Sequence, residues 1–154
     1  MPSLTWSNLN KQQLGRYGEI WAFMEFLSYG LDVYPTEVDD HGVDLVVKDR
    51  RGTYWDVQVK SVRSWTYIYF KTEYIDQANS LDNPNLLICY MNFVDGELPE
   101  VFLFPSTVFK SVHDGGVFRN RGYEYGISVS KRNRHELDGF RFEDAIKGML
   151  GQPG

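Results

Sequence analysis

Two segments near the middle of the chain, residues 42–47 and 53–61, alternate between apolar and polar side chains and are separated by turn-forming residues. A period of two residues is typical of β-strands with one buried face, so the two segments predict a β-hairpin. A three-residue loop that ends in Gly52 would pair Asp49 with Thr53, because glycine readily adopts the left-handed conformation that such loops favour.

That pairing fixes which side chains face one another along the predicted hairpin. On one face all the pairs are apolar: Val43 opposite Val59, Leu45 opposite Val57, and Val47 opposite Trp55. On the other face Asp44 lies across from Gln58, with Cβ atoms about 5 Å apart, and Lys60 lies on the diagonal. The register that makes the best apolar face therefore also gathers a carboxylate, an amide and an ammonium at one place.

The rest of the chain alternates between helical and extended patterns, and no repeat or linker divides it. The patterns predict helices over residues 10–31, 73–81, 106–112 and 141–149, and strands over residues 32–38, 65–70, 86–93, 101–104 and 123–130. This order indicates an α/β fold with a mixed central sheet flanked by helices. We expect residues 1–154 to form a single domain, as is usual at this length.

The helix predicted over residues 10–31 is apolar nearly all round, and its acid Glu19 shares a face with Phe23 and Phe26. A carboxylate buried there would cost several kcal/mol unless it had a partner. A metal ion or Lys60 would be such a partner. The alternative is that Glu19 lies at the rim and reaches water.

The start of the same helix contains two further signals. Asn10 is a candidate N-cap, with Gln13 at the third helical position as in a capping box. Gly15 and Gly18 each cost the helix about 1 kcal/mol relative to alanine. They predict a close approach of backbone or substrate beside Glu19.

Composition and net charge limit the kinds of protein that this chain can be. The 154 residues are 42% hydrophobic with a net charge of −5, which fits a globular protein and argues against one that coats nucleic acid indiscriminately. The single Cys89 permits no disulfide within the chain. The sequence has no secretory signal and no apolar run near 18 residues, so we expect a cytoplasmic protein that does not enter membranes.

Basic residues near the hairpin and late in the chain are candidate phosphate-binding groups. They are Arg50, Arg51, Arg63, Lys71, Lys131, Arg132 and Arg134. Ordinary surface solubility explains them equally well. The aromatic residues Trp65, Tyr67 and Tyr69 alternate along a predicted strand and would form an outer face that stacks on bases, contacts a second subunit or lies under a loop. We favour the subunit contact.

The polar cluster of the hairpin suits metal-assisted hydrolysis. Carboxylate and amide oxygens are ligands that Mg²⁺ accepts, and an ammonium beside the metal steadies a bound hydroxide and the charge that builds on phosphorus. The alternative is a polar strand face on which Asp44 and Lys60 form a surface ion pair of little energetic value. His41 lies close enough in sequence to Asp44 to approach the same phosphate.

Glu19 on the first helix, Asp44 in the first strand of the hairpin, and Gln58-Val59-Lys60 in the second occur in the order E, D, (E/Q)xK. The chain in this respect resembles the PD-(D/E)XK nuclease superfamily. That superfamily includes type II and modification-dependent restriction enzymes, archaeal Holliday-junction resolvases and some intron-encoded homing endonucleases. Gln58 stands where Glu or Asp is usual, and no proline precedes Asp44. The QxK variant is similar to that of the homing and modification-dependent branches.

The resemblance implies a restriction-endonuclease-like αβββαβ core. It also implies Mg²⁺, with Mn²⁺ as the alternative ion, bound by Asp44 and Gln58. Glu19 would complete the metal shell or hold a water, and Lys60 would aid the attacking water. The expected function is a Mg²⁺-dependent DNA endonuclease with Glu19, Asp44, Gln58 and Lys60 as catalytic residues.

Cleavage of both strands would need two copies of such a site, so a homo-oligomer, dimer or higher, is expected. Two alternatives stay open from the residues. One is a nuclease-fold protein that no longer cuts and binds nucleic acid or a partner protein. The other is a structural or inhibitory protein without nucleic acid, which the acidic composition favours.

Overall fold

The computed structural model describes residues 2–37, 42–82 and 84–151, and all elements named below lie within them. The helices are α1 (Lys11–Ser28), α2 (Thr72–Asn79) and α3 (Phe142–Ala145). The strands are β1 (Asp32–Pro35), β2 (Leu45–Lys48), β3 (Tyr54–Arg63), β4 (Ile68–Lys71), β5 (Leu86–Phe93), β6 (Glu100–Pro105), β7 (Phe118–Asn120) and β8 (Glu124–Ile127). Short 3-10 helices span Trp6–Asn8, Ser106–Lys110, Arg134–Phe140 and Ile146–Leu150.

The central sheet has the strand order β1-β2-β3-β5-β6. The pairing of β3 with β5 is parallel and the other pairings are antiparallel, so the sheet is mixed. A parallel pair needs a crossover, which the segment containing β4 and α2 provides between β3 and β5. The order α1, β1, β2, β3, α2, β5 is the predicted αβββαβ core.

Helix α1 covers one face of this sheet. Its buried Ala22 and Phe26 belong to one apolar cluster with Leu45 and Val47 of β2 and with Val57 of β3. The observed register pairs Leu45 with Val57 and Val47 with Trp55, as the alternation predicted. The 3-10 helix Ile146–Leu150 and α3 contribute to the same cluster.

The hairpin loop is held by the carboxylate of Asp49. Its Oδ1 accepts hydrogen bonds from the backbone N–H groups of Arg51 and Thr53, both at 2.9 Å, and its Oδ2 accepts from the Trp55 indole at 2.9 Å. The Asp49 N–H donates to the Thr53 carbonyl at 2.8 Å, and Gly52 has a φ of +88°, so the predicted three-residue loop is present. These contacts lock the register from the turn inward.

The other face of the central sheet packs on α2 and on a second sheet, with the order β4-β8-β7, that the sequence did not predict. The strand predicted over residues 65–70 begins only at Ile68, because Ser64 and Trp65 have φ values of +47° and +62° and turn the chain. The ring centre of Trp65 lies 6.4 Å from that of Tyr90 and 6.1 Å from that of Phe102, so Trp65 packs inward and is not part of the predicted aromatic outer face.

Two smaller differences concern helix ends. The capping box at Asn10 and Gln13 is present, with N–H to side-chain oxygen distances of 2.8 and 2.9 Å. The helix predicted over residues 141–149 is instead α3 followed by a 3-10 helix, and Gly148 disfavours a regular helix there. Within the described ranges, no helix combines the length and apolar character that crossing a membrane requires.

Gly18 allows α1 to lie close against β3. A Cβ at Gly18 would overlap the Ser61 hydroxyl and lie 3.2 Å from the Ser61 Cβ, which is tighter than ordinary van der Waals contact. A Cβ at Gly15 would meet no atom within 4 Å. Of the two glycines predicted to mark a close approach, only Gly18 does so.

We expect Gly18→Ala and Gly15→Ala to change stability in opposite directions. Gly15→Ala should raise the free energy of unfolding by up to about 1 kcal/mol, because alanine favours the helix. Gly18→Ala should lower it by about 1 to 2 kcal/mol, because crowding against Ser61 outweighs the same gain. Urea unfolding of both variants tests this, and equal stabilisation by both would show that α1 is free to shift away from β3.

Candidate active site

Asp44 lies where β2 separates from β3. The regular ladder ends at Leu45 and Val57, and the Asp44 N–H donates instead to the Val57 carbonyl at 2.8 Å. The Asp44 Oδ2 accepts a hydrogen bond from the Val59 N–H at 2.7 Å. The carboxylate thus takes the place of a strand-to-strand bond. It is held against the residue that lies between Gln58 and Lys60.

Gln58 points into the protein, with only 7% of its surface exposed. Its side chain lies beside Gly42, where a Cβ would come within 3.2 Å of Gln58 Nε2 and 3.1 Å of Tyr74 Cδ2. Glycine with a φ of +72° therefore lets the chain pass over the amide. The Gln58 Oε1 atom is buried and accepts no hydrogen bond from the part of the chain that the structure describes.

An unsatisfied buried acceptor is costly, and a cation is one ligand that would satisfy it. An amide oxygen and the carboxylate of Asp44, which is held at the N–H of the next residue, Val59, are ligand types that suit a hard ion such as Mg²⁺. Among the described residues no group of three or more His, Cys, Asp or Glu is arranged to hold a metal. A metal here would therefore depend on the Gln58 amide and on water.

Gln58 and Lys60 open into a cleft of about 310 Å³ between β3, β4 and α2. The cleft is also lined by Lys11, Tyr69 and Lys71. The Lys60 Nζ lies 5.4 Å from the centre of the Phe70 ring, and the Lys71 Nζ lies 5.7 Å from that of Tyr74. Three lysines among the described residues thus converge on one cleft and would attract a phosphate.

Lys11 was not predicted as a site residue. It is the first residue of α1, and only the packing of α1 on the sheet brings it to a cleft formed around β3 and β4. No local sequence signal connects the start of a helix with a hairpin more than 30 residues away. Position in the fold, and not a motif, identifies it.

Glu19 shares a pocket of about 210 Å³ with Asp44 and Phe23. Its side chain is 35% exposed, and its Oε2 lies 3.4 Å from the Arg16 Nη1. Glu19 is therefore at the rim, paired with an exposed arginine, as in the alternative that the sequence left open. In the structure Glu19 lines one pocket with Asp44, and Lys60 lines another with Gln58. The hydrogen bond from the Val59 N–H to Asp44 connects the two pairs, because Val59 lies between Gln58 and Lys60.

A second carboxylate, Asp56, lies two residues before Gln58 on the same face of β3. It lines a pocket of about 270 Å³ with Val43 and Tyr74, and burial raises its pKa above the usual 3.8. No sequence signal distinguishes Asp56, because its alternation with Val57 is that of any outward-facing strand residue.

The predicted nucleic-acid-binding residues are scattered. Lys71 lines the cleft, whereas Arg50 and Arg51 lie on the hairpin loop, about 20 Å from Lys60 at the usual rise per residue of a strand. The Arg50 Nη2 donates to the Tyr29 carbonyl at 3.0 Å. Lys131, Arg132 and Arg134 follow β8, and the Arg134 guanidinium lies 4.6 Å from the centre of the Trp65 ring.

Arg63 is directed into the protein. Its Nε and Nη2 donate to the Trp6 carbonyl at 3.1 and 2.9 Å, and Nη2 also donates to the Leu9 carbonyl. Arg63 thereby fastens the amino-terminal segment to the end of β3, and this placement does not support its predicted contact with phosphate. The candidate His41 lies outside the described residues, as do Asp39 and Asp40.

No family model matches the sequence, and no curated protein matches it. Solved structures do. The chain is similar to Hjc, a Holliday junction resolvase from the archaeal hyperthermophile Archaeoglobus fulgidus, with a TM-score of 0.58, 12% identity, and coverage of 91% of this chain and 98% of that one. It is also similar to the bacterial homing endonuclease I-Ssp6803I, with a TM-score of 0.55, 24% identity, and 92% of each chain covered.

Both of these proteins have the restriction-endonuclease-like fold of the PD-(D/E)XK superfamily. Similarity at these identities establishes the fold. The predicted α/β fold class is therefore confirmed, and the predicted resemblance is confirmed at the level of the fold: the chain has a restriction-endonuclease-like fold with a mixed five-stranded sheet and flanking helices.

Two carboxylates of the hairpin should respond to pH with opposite signs. Burial opposes the charge of Asp49, but its three hydrogen bonds from Trp55, Thr53 and Arg51 outweigh burial and lower its pKa below 3.8. The stabilisation by Asp49 is then present above the pKa of the unfolded chain and is lost as the pH falls through the lowered folded value. The pKa of Asp56 is raised, so the folded state favours its protonated form, and stability is lost as the pH rises through the folded value.

We therefore expect Asp49→Asn to lower the free energy of unfolding at pH 7 by about 1 to 3 kcal/mol, the usual value of hydrogen bonds to a charged group. Asp56→Asn should raise it at pH 7. Both differences should shrink at about pH 3, where the carboxyls of the unfolded chain are protonated. Urea unfolding at the two pH values measures them, and a loss of stability in Asp56→Asn at pH 7 would contradict the role given to burial.

Proposed function

We propose that this protein is a divalent-metal-dependent DNA endonuclease that hydrolyses phosphodiester bonds in the cleft of Gln58 and Lys60. The observation that supports this most is the buried Gln58 Oε1, which has no hydrogen-bond donor among the described residues and belongs to a side chain that borders a cleft lined by lysines. A buried acceptor beside cationic side chains suits a site that binds a metal and a phosphate together.

In this proposal Asp44 and Gln58 hold Mg²⁺, with Mn²⁺ as the alternative ion, and Glu19 supports the shell from the neighbouring pocket. Asp44 is suited to this role because the Val59 N–H fixes its orientation. When bound, the ion would polarise the phosphoryl oxygen and make bound water more acidic. The uncharged Gln58 would leave more of the site to water than a carboxylate would.

The lysines supply the positive charge that phosphodiester hydrolysis requires. The Lys60 ammonium orients the attacking water and offsets the negative charge that develops on the phosphoryl oxygens. Lys11 and Lys71 line the same cleft and hold the phosphate in position. The Lys60 Nζ lies 5.4 Å from the centre of the Phe70 ring, and this contact helps to fix the position of the ammonium.

DNA is the proposed substrate because the two similar structures are a Holliday junction resolvase and a homing endonuclease. One such site cuts one strand, so we propose a homo-oligomer, dimer or higher, that acts in the cytoplasm. Helix α1 offers a surface for a second copy: Ile20, Met24 and Leu27 lie along one stripe and are 48%, 53% and 47% exposed.

The second candidate function is a nuclease-fold protein that binds nucleic acid or a partner protein without cutting. The observation that favours it is the lack of three clustered metal-binding side chains among the described residues, together with Gln58 in place of the usual acid. Cleavage and metal binding separate the two functions.

Lys60→Met should lower the cleavage rate and leave the fold intact. We expect the wild-type protein to nick supercoiled plasmid in Mg²⁺ and not in EDTA. The variant should be slower by about 100-fold in single-turnover assays, because one group that stabilises the transition state is lost. Lys147→Met, which removes an exposed lysine that pairs with Asp144, should cut at the wild-type rate. Equal rates in the wild type and Lys60→Met would refute the role of Lys60.

Metal binding should depend on both proposed oxygen ligands. In calorimetric titrations with Mg²⁺ or Mn²⁺, Asp44→Asn should abolish binding, because the site loses the carboxylate that the Val59 N–H holds in place and keeps only the supporting Glu19. Gln58→Glu should bind the ion at least about 10-fold more tightly, since a carboxylate is a better ligand than an amide. A wild-type protein that binds neither ion would favour the non-cutting alternative.

A further inference from the structure

The three-stranded sheet has one buried face and one face in solvent. Ile68 and Phe70 of β4, Phe118 of β7 and Ile127 of β8 pack inward against the central sheet. Because side chains alternate along a strand, the residues between them point outward. This outer face consists of Tyr69, Lys71, Arg119, Glu124 and Gly126, together with Tyr67 and Arg121, which fold over it.

The register arranges this outer face in two rows. Tyr69 pairs with Gly126, which pairs with Arg119 on the next strand. Lys71 pairs with Glu124, whose carbonyl accepts the N–H of Arg121 at 2.9 Å. Neighbouring strands are about 4.8 Å apart, so the three cationic groups lie on one surface about 10 Å wide.

Tyr67 and Arg121 form a stack on this surface. Gly126 makes room for it, because a Cβ there would overlap the phenol ring of Tyr67. The Tyr67 hydroxyl donates to Glu124 Oε2 at 2.6 Å, and the Arg121 guanidinium lies 4.6 Å from the centre of the Tyr67 ring. Burial and the bond to Glu124 raise the pKa of Tyr67 to about 12, so the phenol remains a donor. A guanidinium held against a ring is preorganised to contact phosphate.

The chemistry of the face suits a polyanion. In a chain with a net charge of −5, the two rows of this face hold the cationic Lys71, Arg119 and Arg121 and the acid Glu124, whose carboxylate accepts the Tyr67 hydroxyl. A second acid, Asp114, lines a pocket with Arg119 and Arg121. Tyr69 is 54% exposed and offers a ring for packing against a base or sugar. Interfaces between proteins are instead depleted in charged residues at their centre.

The face is continuous with the proposed active site, since Tyr69 and Lys71 also line the cleft of Gln58 and Lys60. We propose that this outer face is a DNA-binding surface. The DNA strand that enters the cleft continues across it, and Arg119 and Arg121 contact the phosphates of that DNA strand. Of the cationic groups on this face, only Lys71 was predicted from the sequence to bind nucleic acid. The inference rests on the proposed DNA substrate but not on cleavage.

A charge reversal at Arg121 tests the surface. We expect Arg121→Glu to weaken binding of a fluorescein-labelled duplex of about 30 base pairs at least about 10-fold, measured by anisotropy in EDTA and about 100 mM salt. Arg121→Gln should weaken it less and reduce the slope of log Kd against log salt by about one, as expected for one lost phosphate contact. The matched control Lys147→Glu, on the opposite side of the central sheet, should change Kd less than about 2-fold.

The outcomes separate this inference from the proposed catalysis. Weaker binding by Arg121→Glu supports the surface even if the wild-type protein never cuts plasmid. Normal binding by Arg121→Glu overturns it even if the wild type cuts, and so does a wild-type protein that binds no DNA. A change in sedimentation with an unchanged Kd would instead identify the face as a contact between copies of the chain and would overturn the inference.

Discussion

The hydrogen bond from the Val59 N–H to the Asp44 carboxylate is the interaction on which the arrangement of the site depends. The regular pairing of β2 with β3 ends at Leu45 and Val57, and beyond it the Asp44 N–H donates to the Val57 carbonyl. A carboxylate that accepts a backbone N–H at 2.7 Å makes a charge-assisted bond, stronger than the neutral ladder bond it replaces. It places one acid between the pocket of Glu19 and the cleft of Lys60. The site therefore forms at the point where β2 and β3 separate and Asp44 is held by the Val59 N–H.

Gln58 shows the compromise that such a site requires. The position is almost fully buried, and an ionised carboxylate there would be stable only with a cation or Lys60 beside it. An amide keeps an oxygen directed at the same place without a charge that must be neutralised in the absence of metal. The cost is weaker attraction for a divalent ion, which Asp44 and the bound water would have to offset. Gly18 and Gly42 also serve this site, because neither has a Cβ. Gly18 lets α1 lie close against β3, and Gly42 lets the chain before β2 lie close against Gln58.

Much of the core could be predicted because one pattern satisfied two constraints. A slip of one residue would mix apolar and polar side chains on the face of Leu45, Val47 and Val57, so the position of the polar residues followed from packing and from the three-residue loop. The second sheet could not be predicted in this way. β7 has only three residues, and β4 begins after two non-glycine residues with positive φ, for which the sequence gives no signal. Sequence could not predict the roles of three basic residues, because tertiary folding brings their partners near. Lys11 lines the cleft, Arg63 donates to the Trp6 carbonyl, and the Arg134 guanidinium lies over the Trp65 ring.

An acidic chain can still present a surface suited to DNA, because electrostatic attraction in salt solution is local. At physiological ionic strength exposed charges more than about 8 Å apart are largely screened from one another. A phosphate in the cleft would therefore respond to Lys11, Lys60 and Lys71 far more than to the net charge of −5. Asp44 accepts the Val59 N–H and Glu124 accepts the Tyr67 hydroxyl, so both carboxylates are held in fixed positions. The local grouping of lysines around the cleft is therefore a better guide to what it binds than the overall composition.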